Sequence, residues 1–172
     1  SQVESMASGN GSSNNIKASM NMGLHQNLAI EGDVVVESGT YPIEDTDLNL
    51  TGKITARNDA TIVIRNARLH LTTRGGVAFR DGIVLMNKSK LIAENATIFL
   101  KSANVGEESY ITVGDEATAN LTDSELYGIA LIIGRQNSRT YVNRSLLKGP
   151  NPSDLDLCAV ITDDNSTARI QD

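Results

Sequence analysis

A single cysteine, Cys158, three prolines and no tryptophan stand in a chain of 172 residues. One cysteine excludes an internal disulfide, so no covalent staple within the chain holds this fold. Aromatic residues make up only 3% (Phe79, Phe99, Tyr41, Tyr110, Tyr127 and Tyr141). The core must therefore be built from Val, Ile, Leu, Ala and Thr. No apolar run approaches the roughly 20 residues of a membrane-spanning helix. Basic excess is absent too: the net charge is −6, which argues against nucleic acid or an anionic membrane as the main partner. After residue 33 no segment keeps an apolar period of 3.6 over three turns, so a helix-rich fold is excluded. At this length one domain with a real core is the simplest expectation. The chain opens at Ser1 with neither Met nor a signal-type apolar core, so any leader is expected to have been removed.

What is present is a repeat. Ala60–Leu71 reads "ATIVIRNARLHL" and Ser89–Leu100 reads "SKLIAENATIFL", with matching apolar positions and the same Asn in the middle. The block returns as "ATANLTDSELYG" (Ala117–Gly128), as "SRTYVNRSLLKG" (Ser138–Gly149) and in part as "STARIQD" (Ser166–Asp172), at spacings of 29, 28, 21 and 28 residues. The inward candidates form matching sets: Ile62, Ile64, Ala67, Leu69, Leu71; Leu91, Ala93, Ala96, Ile98, Leu100; Ala119, Leu121, Ser124, Leu126; Thr140, Val142, Ser145, Leu147; and Ala168, Ile170. Their steps run two, three, two. A step of two is a strand with one buried face. The step of three is one extra residue that turns one strand into the next without a loop. That corner is Asn66, Asn95, Asp123 and Arg144 in successive repeats. A one-residue corner needs a left-handed backbone, which Asn and Asp tolerate best among residues other than glycine.

Upstream of each block lies a third short strand, with inward pairs Ile54/Ala56, Ile83/Leu85, Ile111/Val113, Ile132/Gly134 and Val160/Thr162, each leading into a polar turn. Three short strands per repeat, stacked repeat on repeat, predict an all-β parallel β-helix of about five coils over residues 32–172. The unequal period places insertions at one corner only. With its Asn corners and the opening segment "GDVVVESGTYPI" (Gly32–Ile43), the chain resembles right-handed parallel β-helix proteins of the pectate-lyase-like superfamily. The resemblance implies a right-handed spiral. It implies no single function, because this fold carries lyases, hydrolases, phage spikes, adhesins and surface-layer proteins alike.

Sugar-cleaving members of that superfamily work on the outer face of the first strand of each coil, with clustered acids. Here the outward positions are Thr55, Val84, Thr112, Ile133 and Ile161, flanked by Met86 and Leu131. No carboxylate pair projects from that face, whereas glycoside hydrolysis needs two carboxyl groups about 5–10 Å apart. No catalytic residue is assigned. The nearest acids, Asp115/Glu116 and Asp163/Asp164, fall in turns separated by a coil that carries Arg135, Gln136 and Asn137. They are read as solvated turn acids, with Ca²⁺ held by carboxylates and carbonyls as the alternative; no other cofactor is expected. His70 and His25 are read as plain surface residues, and Cys158 as a small buried residue before the last coil.

Asn-X-Ser/Thr occurs at Asn10, Asn49, Asn87, Asn95, Asn120, Asn143 and Asn165, more often than chance placement of 16 Asn and 29 Ser/Thr would give. In this register none of the seven points into the core. N-glycosylation of exposed sites on an external chain is expected. Asn95 stands apart, since a corner Asn can be turned against its neighbours.

Residues 1–31 differ in kind. The polar run "SGNGSSNN" is followed by Ile16, Met20, Leu24 and Leu28 at helix-like spacing, read as an amphipathic cap or a connecting arm. At Asp172 the repeat stops after the second strand of a coil, an arrangement expected to leave unpaired strand edges. An apolar outer strip of Val84, Met86, Leu131, Ile133 and Ile161 adds a candidate interface. These features favour a non-catalytic extracellular subunit that joins copies of itself into a filament, sheath or surface layer, without inserting in a membrane. Several glycan sites on an acidic, cysteine-poor chain suit an archaeal cell surface. The alternatives are a polysaccharide lyase or hydrolase, or an adhesin gripping a glycan with the loops Thr72–Gly82, Lys101–Tyr110 and Pro150–Leu157.

Overall fold

The computed structural model of the chain describes residues 5–6, 26–74, 79–104, 108–128, 132–149, 160–163 and 165–171. After β1 (Ser5–Met6) and β2 (Gln26–Glu31), the chain makes five complete coils of three strands each. They are β3 (Val34–Val36), β4 (Thr40–Glu44), β5 (Thr46–Thr51); β6 (Ile54–Ala56), β7 (Thr61–Arg65), β8 (Arg68–Thr73); and β9 (Phe79–Leu85), β10 (Lys90–Glu94), β11 (Thr97–Ser102). Next come β12 (Glu108–Val113), β13 (Thr118–Thr122), β14 (Glu125–Tyr127); then β15 (Ile132–Gly134), β16 (Arg139–Asn143), β17 (Leu146–Lys148). A sixth coil contributes β18 (Val160–Thr162) and β19 (Thr167–Gln171). No helix occurs among the described residues.

Strands of one kind stack into one sheet. The leading sheet runs from β3 to β18, the middle sheet from β4 to β19, and the trailing sheet from β1 and β2 to β17. All pairings are parallel, and the repeat register is the pairing register: Ala93 lies opposite Ile64 on one side and Leu121 on the other. This is the parallel β-helix that the repeat implied, consistent with the right-handed spiral of the resemblance.

Alternation explains the core. On β7 and β8, Ile62, Ile64, Leu69 and Leu71 are fully buried, because successive side chains of a strand point to opposite faces. The inward row Ile43, Ile64, Ala93, Leu121, Val142 is at most 3% exposed, and Ile170 on the outermost strand of the same sheet is 60% exposed. Ser145 and Leu147 are half-buried rather than enclosed. Serines continue the alanine row at the corner: the Ala96 N–H donates to Ser124 Oγ (3.1 Å) and the Ser124 N–H to Ser145 Oγ (3.0 Å). Each hydroxyl supplies an acceptor where a turning backbone would otherwise leave a buried N–H unpaired.

The one-residue corners are left-handed: Asn66, Asn95, Asp123 and Arg144 have φ of 49°, 47°, 49° and 44°. Asp45, φ 51°, begins the same column. It marks a coil that the repeat search passed over, although Tyr41, Ile43, Thr46, Leu48 and Leu50 carry the same two, three, two, two steps. A second left-handed column, Asn58, Asn87, Asp115 and Gln136, occupies the polar turns between leading and middle sheets; Asn165, also left-handed, stands one residue further along its turn.

Two other expectations change. The spiral begins before residue 32: Gln26–Glu31 pairs residue for residue with Thr46–Thr51, so Leu28 sits on a strand and not on a helical arm. Backbone hydrogen bonds to a neighbouring coil outweigh a sparse apolar period of four. Two third-corner loops are also shorter than read, because β8 extends to Thr73 and β9 starts at Phe79, and β11 extends to Ser102 and β12 starts at Glu108; Pro150–Leu157 lies outside the described residues. Gly82 is the extra residue where β9 slips against β12, between the pairs Tyr110–Asp81 and Ile111–Ile83. A Cβ there would lie 2.7 Å from Ser109 Oγ and 3.0 Å from Leu71 Cδ2, so those side chains would have to shift for any residue larger than glycine at the bulge.

Candidate functional surfaces

The outer column of the leading sheet is Val35, Thr55, Val84, Thr112, Ile133 and Ile161 in register. Among the described residues Thr55 and Thr112 interrupt its apolar members. Thr112 stands between half-buried Val84 and Ile133, and its hydroxyl donates to the Asp81 carboxylate. Met86, 39% exposed, lies beyond the strand. Leu131 and the Ile161 side chain fall outside the described residues. Parallel stacking brings like positions together, so one Thr in a register row is enough to divide an apolar surface.

The turn acids join a polar ladder. Asp115 Oδ2 accepts from the Asn87 N–H (2.9 Å), and the Asp115 N–H donates to Gln136 Oε1 (2.8 Å). Glu116 is 4.0 Å from Lys88 Nζ. The Asp163 N–H donates to Ser166 Oγ (2.9 Å) and to the Gly134 carbonyl (3.0 Å); Asp164 lies outside the described residues. Gln136 holds the place between Asp115 and the next coil, and so separates Asp115 from the turn of Asp163. Among the described residues no group of three or more His, Cys, Asp or Glu side chains is placed to hold a metal ion.

Other outer columns are also occupied by coil-to-coil contacts. Arg65 pairs with Glu44 below and Glu94 above, both at 2.8 Å, and the Glu94 hydrogen bond holds the guanidinium above its usual pKa. At the corners Asn95 Nδ2 donates to Asn66 Oδ1 (2.9 Å). Arg144 makes two 2.7 Å bonds to the Asp123 carboxylate, holding that carboxyl below its ordinary range. In the turn column Asn58 Nδ2 donates to the Glu37 carbonyl (3.1 Å) and Asn87 Nδ2 to Asn58 Oδ1 (3.3 Å). An exposed ion pair contributes little by itself; Arg65 makes two, one to each neighbouring coil.

His70 is no isolated surface histidine. On the trailing sheet its ring stacks on Phe99 (centroids 4.5 Å apart, 9° between planes), and Phe99 stacks on Tyr127 (4.8 Å, 14°). Lys148 Nζ lies 5.9 Å from the Tyr127 centroid. The Tyr127 hydroxyl donates to Glu125 Oε2 (2.6 Å), which raises its pKa. Sequence reading missed this stack, although His70, Phe99 and Tyr127 occupy one repeat position. Phe99 is covered on both faces, so the stack offers ring edges rather than a flat sugar platform.

One open cleft lies at the third corner, lined by Gly32, Asp33, Gly52, Lys53, Thr73, Arg74 and Asp81. A Cβ on Gly52, at φ 150°, would sit 2.3 Å from the Gly32 carbonyl oxygen, so two coils turn here backbone against backbone. The carboxylates and the guanidinium are already engaged: Asp33 Oδ1 accepts from the Lys53 backbone N–H (3.0 Å), Arg74 pairs with Glu31 (2.6 Å), and Asp81 accepts from Thr112. Asp33 and Asp81 both line the cleft, and each carboxylate is already used in a contact that organises the turn.

Of the Asn-X-Ser/Thr sites, Asn49 is exposed and Asn120 and Asn143 are half-exposed on outward faces of β5, β13 and β16. Asn87, Asn95 and Asn165 are exposed at left-handed positions. Asn10, His25 and Cys158 lie outside the described residues. No protein-family model matches the sequence, and no curated protein and no solved structure matches it either.

Proposed function

We propose that this protein is a structural shaft: a non-catalytic, extracellular β-helix subunit bearing N-glycans that joins copies of itself in a filament, sheath or surface layer. The observation that carries the reading is how the outer columns are used. Ion pairs, amide contacts and stacked rings along the three faces link coil to coil, so the outer surface reinforces the spiral. General acid–base cleavage of a polysaccharide needs two carboxyl groups facing one substrate, and Asp33 and Asp81, the two acids that share a cleft, are each taken up in a hydrogen bond within the spiral. Self-association is favoured by the coil itself, since strands that pair in register at each level accept a further coil of the same cross-section. The expected partner is therefore a second copy of the chain.

Sedimentation and negative-stain imaging of the purified chain, over a wide range of concentration and with and without Ca²⁺, test this. Ordered polymers are expected; monomers under all conditions would overturn the assembly reading. Release of fragments from a panel of polysaccharides would overturn its non-catalytic part.

A further inference from the structure

We infer that the folded chain accepts N-glycans at Asn49, Asn120 and Asn165 and refuses them at Asn87, Asn95 and Asn143. This partition rests on the proposed external, glycosylated placement of the protein and goes further, by assigning acceptors residue by residue. The motif demands both an amide and a hydroxyl two residues later, so both groups must be free and reachable together. Transfer forms a bond from Asn Nδ2 to the anomeric carbon of a polyprenyl-pyrophosphate-linked oligosaccharide. The bond from that carbon to the phosphate oxygen breaks, its electron pair leaves with the pyrophosphate, and Nδ2 releases one proton.

The pleat meets this demand at two sites. Residues two apart on a strand point to the same face. Asn49 and Thr51 on β5, and Asn120 and Thr122 on β13, therefore present amide and hydroxyl together on the outside. Asn165 and Thr167 are both exposed, across a turn and the first residue of β19. Among the described residues none of these three amides is held by a hydrogen bond.

Each remaining site lacks one of the two groups. At Asn95 the amide nitrogen is held by Asn66 Oδ1 (2.9 Å), at a corner pinned by the Asn95 N–H on the Thr122 carbonyl (3.1 Å). At Asn143 the hydroxyl is the one engaged: Ser145 Oγ donates to the Asn143 carbonyl (2.8 Å) and accepts from the Ser124 N–H. At Asn87 both are engaged, since Nδ2 donates to Asn58 and Ser89 is 0% exposed, its hydroxyl accepting from the Met86 N–H (2.9 Å). The repeat explains the pattern. Positions that turn the chain and bond its coils are the ones where Asn and Ser are already used.

The test is in vitro transfer to the purified, folded chain, using a sequon-reading oligosaccharyltransferase and a polyprenyl-pyrophosphate oligosaccharide. Occupancy is mapped by peptide mass spectrometry and normalised to synthetic peptides of the six motifs. Normalised occupancy at Asn49, Asn120 and Asn165 is expected to exceed that at the other three by at least tenfold. Equal labelling of all six, or no labelling of the favoured three, overturns the inference. In Asn66→Gly, which suits φ 49° and is checked for native urea stability, labelling at Asn95 is expected to rise several-fold. No rise removes the amide contact as the cause. Native material bearing no glycan anywhere would refute the glycoprotein part of the proposed function and leave the partition to stand on the in vitro result.

Discussion

Replacing Leu121 by Ala removes three carbons from the axis of the spiral, at a position 1% exposed. Its register neighbours are Ala93 in the coil before and Val142 in the coil after. At about 0.8 kcal/mol per buried carbon the transfer cost is near 2.4 kcal/mol. Ala93 is too small to fill the space, so the cavity raises the expected loss to about 3–4 kcal/mol. Ala93→Leu alone forces volume between Ile64 and Leu121 and costs about 1–3 kcal/mol. In the double variant large and small side chains exchange places within one row. Its loss is expected to fall short of the summed single losses by about 1–2 kcal/mol, as for residues in contact. Urea unfolding of the four proteins measures this, as midpoint shifts at a common slope. Two spectroscopic probes must coincide, because stacked repeats can unfold stepwise. Additivity to within about 0.3 kcal/mol would mean that these side chains do not share a row, and the stacking argument would fail.

The corners give a second test: Asn95→Ala is expected to cost about 1 kcal/mol, because Ala lacks the short polar side chain that lets Asn hold a left-handed backbone, and Asn95→Gly only a few tenths. Equal losses in thermal unfolding would refute the backbone explanation. The aromatic stack predicts a coupling of about 0.5–1.5 kcal/mol between Phe99→Ala and Tyr127→Ala in a double-mutant cycle; zero coupling would leave the rings as mere neighbours. For the Asp123–Arg144 pair the sign is set by the lowered carboxyl pKa. The pair's contribution is complete above the unfolded value and is lost as pH falls through the folded one. The stability gap between wild type and Arg144→Gln is therefore expected to hold near neutrality and to close below about pH 4. A gap unchanged at about pH 2 would show that Arg144 acts through something other than the carboxylate.

Legibility followed periodicity. Rows such as Ile62–Leu91–Ala119–Thr140 could be read directly, since a coil forces equivalent residues on top of one another. The coil with Asp45 was missed because its outer residues differ from the later repeats, although its inward steps agree. Leu28 was drawn into a helical spacing because four residues in an apolar row are weak evidence beside six strand pairings that no local pattern reveals. Along the outer strip Thr112 separates Val84 from Ile133, while Leu131 and the Ile161 side chain lie outside the described residues.

Sequence by itself determined the coil: the two, three, two rhythm, the left-handed Asn and Asp corners, and the aliphatic interior. These follow from the pleat and from backbone sterics, which act over a few residues at a time. Only the tertiary structure decided what the outer side chains do. Whether His70 stacks on Phe99, whether Asn95 gives its amide to Asn66, and whether the Ser145 hydroxyl is free depend on the coil above or below, some 20 to 30 residues away. Hydrogen-bond and ring geometry over such separations is fixed by stacking, and no local pattern carries it.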